Sequence, residues 1–337
     1  MATILVTGGA GFIGSNFIKY VLAERDEQIV NLDALTYAGN LANLADIDGE
    51  PRYRFVRGSI GDSELVDSLL RELQPDYLVN FAAETHVDRS ILSPTAFLET
   101  NILGTQVLLQ AARAIEGLRF TQVSTDEVYG SADNGERFAE DAAYNPTSPY
   151  AASKASADLM VLAYHKTYGL DTTITRCANN YGPYQFPEKL IPLMIANALE
   201  DKPLPVYGDG RQVRSWIHAE DHARGIYLVM KGGRPGEIYN IDCGVEKYNL
   251  DVVHAILALL DKPATLIRYV TDRPAHDRRY AITWDKIEGE LGWTPRIDFE
   301  TGLEQTVAWY RDNQPWVRRI QDKSYLSYYQ EQYGQRL

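Results

Sequence analysis

Two carboxyl side chains, Asp126 and Glu127, stand side by side in "STDEVYG", immediately after the apolar run "LRFTQVS". Adjacent carboxylates repel each other and gain no packing, so their place at the end of an expected strand points to proton chemistry rather than stability. A neighbouring carboxylate raises the pKa of one member of such a pair, and the two titrate as a coupled unit, one able to act as acid and the other as base. The structural alternative is a solvated turn with Asp126 capping the next segment. A second pair, Tyr150 and Lys154, opens "YAASKASADLMVLAYHKTYG" at a spacing that puts both on one helical face. An ammonium beside a phenol favours the phenolate, which predicts a lowered pKa suited to a general base. Here the alternative is a surface tyrosine and a solvated lysine.

A tyrosine base needs a redox partner, and "VTGGAGFIG" offers a place for one. Gly8, Gly11 and Gly14 are spaced GxxGxxG directly after an expected strand and at the mouth of an expected helix. Close approach of backbone to a pyrophosphate needs residues without Cβ, and a helix N-terminus supplies oriented amides. Asp33 ends "IVNLD" about 20 residues further on, where a carboxylate accepts hydrogen bonds from both ribose hydroxyls. A 2′-phosphate would meet like charge there, and "DALTYAGN" carries no arginine, so NAD is favoured over NADP. A glycine-rich turn before an ordinary helix is the bland alternative.

The elements that must position these groups follow from hydrophobic rhythm. "TILVTG", "QIVNLD", "YRFVRGS", "DYLVNFAA" and "LRFTQVS" alternate with helix-length amphipathic stretches, and the strands lack polar–apolar alternation. That pattern predicts an α/β fold, a Rossmann-type doubly wound parallel sheet covered on both faces. The rhythm continues through "TTITRCA" and breaks at "NNYGPYQFPEKLIP", a loop rich in Pro, Tyr and Gly. We expect an NAD-binding domain over 1–178 plus about 212–243. A smaller, discontinuous α/β substrate domain is expected over about 179–211 and 244–337. The helices carrying "NILGTQVLLQAARA" and "YAASKASADLMVLAYHKTYG" are apolar around their circumference, which predicts burial against a partner as well as the sheet.

Composition narrows the partners. The chain has 337 residues, 45% hydrophobic, with 33 Lys and Arg against 46 Asp and Glu; the net charge of -13 excludes a protein whose main work is coating nucleic acid or anionic lipid. Two cysteines, Cys177 and Cys243, form no framework and read as buried thiols in a reducing compartment. The strand-like "TILVTGG" begins within two residues of Met1, leaving no room for an export signal, and no apolar run nears the ~20 residues of a membrane span. A cytoplasmic protein with no membrane partner is expected. The six histidines show no metal-ligand spacing, so no metal is expected.

The glycine motif, Asp33, "NFAAETHVD", "NILGT" and the Tyr-Lys pair together resemble the extended short-chain dehydrogenase/reductase family over most of the chain. "STDEVYG", "RCANNYGPYQFPEKLIP", "VYGDGRQVRSWIH" and "DRPAHDRRYAI", in that order, resemble one branch of it, the dTDP-glucose 4,6-dehydratases. The resemblance implies conversion of dTDP-glucose to dTDP-4-keto-6-deoxyglucose and water, with NAD recycled. Tyr150, assisted by Lys154 and Thr125, would take the C4 hydroxyl proton; Glu127 would act as base at C5 and Asp126 as acid at the C6 hydroxyl. It assigns the cofactor to Gly8, Gly11, Phe12, Ile13 and Gly14, to Asp33, Leu35 and Thr36, to Ser59 and Ile60, to Ala82, Ala83, Thr85 and Thr100, and to Tyr150, Lys154 and Asn180. It assigns the nucleotide sugar to Thr85, His86, Thr125, Asp126, Glu127, Asn179, Lys189 and Leu190, to Pro205 and Tyr207 as walls for a pyrimidine, to Arg214 for phosphate, and to Asn249, His276, Arg279 and Tyr280. A homodimer through a four-helix contact is also implied.

One departure stands out: where the family has Gly-Asp-Ile after the third strand, this chain reads "GSIGD", leaving Ser59 to accept a hydrogen bond without charge. Three other readings remain. UDP-glucose and other nucleotide-sugar 4,6-dehydratases differ by little, since one methyl separates thymine from uracil. Against a UDP-sugar epimerase or decarboxylase stands the Asp126–Glu127 pair. Against a non-catalytic NAD-binding regulator stands the joint presence of Tyr150, Lys154, Asp126 and Glu127.

Overall fold

The computed structural model describes residues 1–132, 135–274, 276–321, 329 and 333. Its strands, in chain order, are β1 (Thr3–Thr7), β2 (Gln28–Asp33), β3 (Tyr53–Arg57), β4 (Tyr77–Asn80), β5 (Arg119–Thr125), β6 (Asp171–Cys177), β7 (Asn179–Tyr181), β8 (Leu204–Tyr207), β9 (Val213–His218), β10 (Ile238–Ile241), β11 (Glu246–Tyr248) and β12 (Ile267–Val270). Seven of them form one sheet in the order β10-β6-β5-β4-β1-β2-β3, parallel throughout. The order reverses between β1 and β4, and in such sheets ligands bind beyond the carboxyl ends of the strands at that reversal. Parallel pairing brings those ends to one edge: Thr7 lies opposite Leu32 and beside Asn80, and Thr125 opposite Cys177. Gly8, Asp33, Phe81, Asp126 and Ala178 therefore all sit at the same rim.

Both faces of the sheet are buried, which is why its strands lack polar–apolar alternation. Helices Phe12–Glu24 and Ala219–Gly232 cover one face around Ile4, Val6, Phe17 and Trp293. Helices Ser63–Leu73, Thr105–Ala112 and Pro149–Tyr168 cover the other around Leu5, Leu69, Leu108 and Val161. A separate apolar cluster gathers helices Leu190–Leu199, Asn249–Leu259, Phe299–Asp312 and Gln314–Ile320 about β8. Two small sheets, β11-β9-β7 and β12-β8, flank it. The chain crosses between these bodies at His218: β9 pairs with β7 and β11, whereas the helix and strand that follow return to the large sheet. Among the described residues, no helix is long and apolar enough to cross a membrane.

Local signals start and stop the helix that matters most. Ser148 accepts a hydrogen bond from the Ala151 amide at 3.1 Å, Pro149 occupies the first turn, and Gly169 ends the helix at φ +71°. Tyr150 is thereby fixed in the first turn, over the end of β5. The glycine loop is held from two sides. Asn31 Oδ1 accepts from the Gly9 amide at 3.0 Å, and Asn43 donates to the Ala10 carbonyl at 2.9 Å while accepting from Trp316 Nε1 at 2.9 Å. Asn43 thus ties the loop to the late helix Gln314–Ile320. Asn43→Ala leaves Trp316 Nε1 buried without a partner, at a cost of about 1–3 kcal/mol, while the Ala10 carbonyl keeps its bond from the Asn40 amide at 3.0 Å. We expect urea denaturation to show a loss of about 1–3 kcal/mol; an unchanged midpoint would remove the bridge from the account.

Candidate active site

The first cleft, of about 1610 Å³, opens at the sheet reversal. It is lined by Gly8, Gly11, Phe12, Ile13, Gly14, Asp33, Thr36, Ser59, Ile60, Ala82, Ala83, Thr85, Thr100, Tyr150, Lys154 and Asn180. Of the residues expected at the cofactor, Leu35 alone is absent from the lining. It adopts φ +53° and gives its amide to Asp33 at 2.7 Å, so its contribution runs through backbone. The second Asp33 oxygen accepts from the Ala10 amide at 2.9 Å, and burial raises this carboxyl's pKa. Ser59 faces the cleft, while Asp62 caps helix Ser63–Leu73 by accepting from the Leu65 amide at 3.1 Å and is committed there.

The cradle fits a dinucleotide. A Cβ on Gly8, which lies at φ +70°, would stand 2.6 Å from the Ala82 amide nitrogen, and one on Gly14 would stand 2.5 Å from the Gly8 carbonyl. Only glycine allows the loop, the helix start and β4 to close up this far.

Tyr150 and Lys154 both line the first cleft, one turn apart on helix Pro149–Tyr168, and both are buried. Lys154 Nζ donates to the Val123 carbonyl at 2.7 Å, which pins it under the end of β5. The expected lowering of the phenol is not what the chain provides. Burial, then the charge of Glu127, pushes Tyr150 well above the usual range, and burial pulls Lys154 down against the opposing pull of Asp158.

Asp126 and Glu127 leave β5 in a single 3₁₀ turn, Asp126–Tyr129. Thr125 Oγ1 donates to Asp126 Oδ1 at 3.3 Å and accepts from the Glu127 amide at 3.3 Å. Burial drives Asp126 well above the carboxylate range, helped by Glu127 and Asp242. Burial also raises Glu127, but Arg273, Lys189 and Arg214 oppose it. The two neighbours therefore sit in unlike fields, with the proton favoured on Asp126.

A second cleft, of about 900 Å³, continues from the first; Glu127, Asn179, Glu188 and Lys189 line both. It brings together His86, Leu190, Pro205, Tyr207, Arg214, Asn249, His276 and Tyr280. Lys189 Nζ donates to the Thr85 carbonyl at 2.9 Å, and the Tyr280 hydroxyl reaches Glu127 at 3.5 Å and Asp277 at 2.8 Å. The Arg214 guanidinium lies 4.2 Å from the centre of the Tyr280 ring. Burial pulls His86 down.

Arg279 is not brought to either cleft. It pairs with Glu246 at 2.7 Å, and Arg278 forms a two-pronged pair with Asp209 at 2.9 and 3.0 Å on the surface. Beside Arg214, a further arginine lines the second cleft, Arg273, which was not singled out in the sequence; it pairs with Asp88 at 3.0 Å, and Asp88 also accepts from the Tyr207 hydroxyl at 3.0 Å. Gln212 and Glu188 were missed likewise. Several lining atoms, Asn179 Oδ1, Asn249 Oδ1, Gln212 Oε1 and Arg273 Nε, are buried without a hydrogen-bond partner among the described residues, the polar complement a nucleotide would satisfy. Cys177 is buried, and Cys243 is partly so.

A doubly wound sheet with a glycine cradle, a carboxylate closing β2 and a Tyr-Lys helix beneath the cleft defines an extended short-chain dehydrogenase/reductase. Residues 5–306 match the family described as GDP-mannose 4,6 dehydratase, and the chain belongs to it. The dTDP-glucose 4,6-dehydratase of Xanthomonas campestris is 54% identical, with 96% of this chain and 97% of that protein covered. The crystal structure of the dTDP-glucose 4,6-dehydratase of Streptomyces venezuelae with NAD bound is 52% identical, covers 94% of this chain and 99% of its own, and superposes with a TM-score of 0.92. A UDP-glucose 4-epimerase from Thermotoga maritima shares the fold at 29% identity and a TM-score of 0.86, covering 93% of this chain and 99% of its own.

The steric closeness at Gly14 gives a direct check. Gly14→Ala must push apart the loop and the helix start, so NAD retention is expected to fall by on the order of tenfold or more while the fold persists. NAD released on denaturing the purified protein measures this. Full retention would mean that the cradle tolerates the displacement.

Proposed function

We propose that this chain is an NAD-dependent dTDP-glucose 4,6-dehydratase, a hydro-lyase forming dTDP-4-keto-6-deoxyglucose and water. The observation that carries the reading is the recessed Asp126–Glu127 pair in unlike fields, beside Tyr150 and at the junction of the two clefts. Epimerisation needs no such pair. The near full-length relatives named dTDP-glucose 4,6-dehydratase support the choice of substrate over UDP-glucose.

NAD, which the Gly8–Gly14 cradle and Asp33 would hold, would supply a two-electron acceptor for the C4 hydrogen and give that hydride back at C6. Tyr150 takes the C4 hydroxyl proton as phenolate, the form that the Lys154 ammonium on the same helix face favours against burial and the charge of Glu127, and Thr125 orients the sugar. The resulting 4-keto group acidifies C5. Glu127 then removes the C5 proton while Asp126 protonates the departing C6 hydroxyl, which leaves as water. Glu127 returns its proton to C5 at the close. Arg214, Arg273 and Lys189 face the diphosphate, and Pro205 and Tyr207 wall the base. In this reading the nucleotide sugar lies on the smaller body, formed mainly by about 179–211 and 244–337.

The same reading includes a homodimer and a cytoplasmic setting. Leu103 is 58% exposed and Leu159 53%, and Ile91, Leu92 and Leu98 are exposed on the same run of helices. Such an apolar face suits a second copy. Leu103→Glu is expected to shift the protein to monomer in light scattering, and a dimer that persists would rule out this face.

Incubation with dTDP-glucose should yield a base-labile 4-keto chromophore without net NADH, and faster than with UDP-glucose or UDP-N-acetylglucosamine. Steady NADH accumulation would indicate an ordinary dehydrogenase. Glu127→Gln is expected to form NADH in a single turnover yet lose about 10²–10⁴-fold in product formation, because only the C5 base is gone. Unchanged turnover there would sink the role given to Glu127.

A further inference from the structure

Behind the reactive groups lies an ion pair that the mechanism has not used. Tyr150, Lys154 and Asp158 are spaced four residues apart on helix Pro149–Tyr168 and form one buried stripe. Arg176 of β6 donates from Nε to Asp158 Oδ2 at 3.0 Å, and both side chains are fully buried. β5 and β6 pair Ser124 with Arg176, so this contact lies one residue behind Thr125.

Stability does not account for it. Burying an ion pair returns little beyond an apolar pair of the same size, and here Asp158 Oδ1 and Arg176 Nη1 have no hydrogen-bond partner among the described residues. What the pair does hold is charge next to Lys154. Arg176 is also wedged under the turn that carries Asp126 and Glu127: it stands 4.7 Å from the Tyr129 ring centre and 4.5 Å from that of Tyr144, whose hydroxyl accepts from it. Tyr129 in turn donates to Asn240 at 2.9 Å. One guanidinium thus braces both the helix of the Tyr-Lys pair and the turn of the carboxylates.

We propose that Asp158, clamped by Arg176 and one helical turn from Lys154 in the same buried stripe, is a positioning residue for Lys154 during oxidation at C4. This rests on the dehydratase reading given above. Lys154 is buried and donates to a neutral carbonyl, that of Val123. The anion one turn away at Asp158 opposes the loss of its proton, and burial alone would promote that loss. Arg176 moderates that anion and fixes its direction.

The other charged or titratable groups facing this stripe are few. β6 presents Cys177 and Arg176; the turn after β5 presents Asp126, Glu127 and Tyr129; Tyr144 closes the far side. From helix Val87–Leu92, Asp88 turns to Arg273 and Arg89 to Glu188. Arg113, after helix Thr105–Ala112, turns to Gln110 and Tyr168. None of these takes the place of Asp158 beside Lys154.

The test uses the NAD-loaded enzyme and follows NADH formation from dTDP-glucose in a single turnover as a function of pH, with thermal melting in parallel. Oxidation should fail at high pH as Lys154 loses its proton. In Asp158→Asn this alkaline limb is expected to move down by about one pH unit or more, the size of shift an opposite charge exerts at this range. In Arg176→Gln the buried Asp158 carboxyl loses the cation that opposes its protonation and is expected to become neutral, so the limb should move down here as well. The second variant keeps the test open if the first does not fold. A limb that stays in place while the melting temperature drops assigns the pair a structural role and overturns the proposal. If the parent enzyme forms no NADH from dTDP-glucose, the dehydratase reading falls and the proposal with it; if the parent turns over normally and only the limb fails to move, the proposal falls alone.

Discussion

Removal of water from ionisable groups governs this site more than any single contact. Asp126, Glu127, Tyr150 and Lys154 all lie at the carboxyl edge of a sheet whose two faces are covered, and for each of them burial is the largest influence on the proton. Burial favours neutral forms, pushing carboxyls and phenol up and the ammonium down. What distinguishes one group from the next is the charge left in view. Asp126 faces two further carboxylates, Glu127 and Asp242, and Glu127 faces Arg273, Lys189 and Arg214. Two adjacent residues on one turn are in this way given different affinities for a proton, and the proposed division into acid and base needs no other peculiarity of either side chain.

The sheet makes that division possible. Parallel strands deliver their last residues to a common rim, so the glycine cradle after β1, Asp33 at the end of β2, and Asp126 after β5 become neighbours although widely separated in sequence. The Tyr-Lys helix arrives on the same rim because Ser148 and Pro149 fix where it starts. The smaller body then closes over the opening and supplies the cations, from β9, from the start of helix Leu190–Leu199 and from the segment after β12.

Much of this was legible in the sequence, and the parts that were share a property: their chemistry is written in contiguous residues. The GxxGxxG turn, the carboxylate closing β2, the Tyr-Lys spacing and the Asp-Glu step each specify their own local backbone, and the apolar strands specify the layer that unites them. The second cleft was read less well, because its meaning depends on distant pairings. Arg273 matters through Asp88, 185 positions away, and no local pattern separates it from Arg278 and Arg279 in "DRPAHDRRY". Those two arginines are adjacent and basic, yet Asp209 holds Arg278 on the surface and Glu246 holds Arg279 away from both clefts. The pKa of Tyr150 was misjudged for a related reason: the spacing reveals the lysine but not the depth of burial or the nearby Glu127.

The junction of the clefts explains why the proposed steps need no repositioning of substrate. Glu127, Asn179 and Lys189 line both spaces, and Thr85 binds Lys189 across the boundary. In the proposed reading, a sugar that spans the boundary, its diphosphate among the arginines, would present C4 toward Tyr150 and C5 toward Glu127 at once. Oxidation would then create the acidic C–H bond beside the base that is to take its proton. With the C6 hydroxyl next to Asp126, whose proton burial and two carboxylates retain, elimination would follow without bulk water supplying the acid. The order of events is thus set by the chemistry of the sugar, and the protein's part is to hold each proton where the next step requires it.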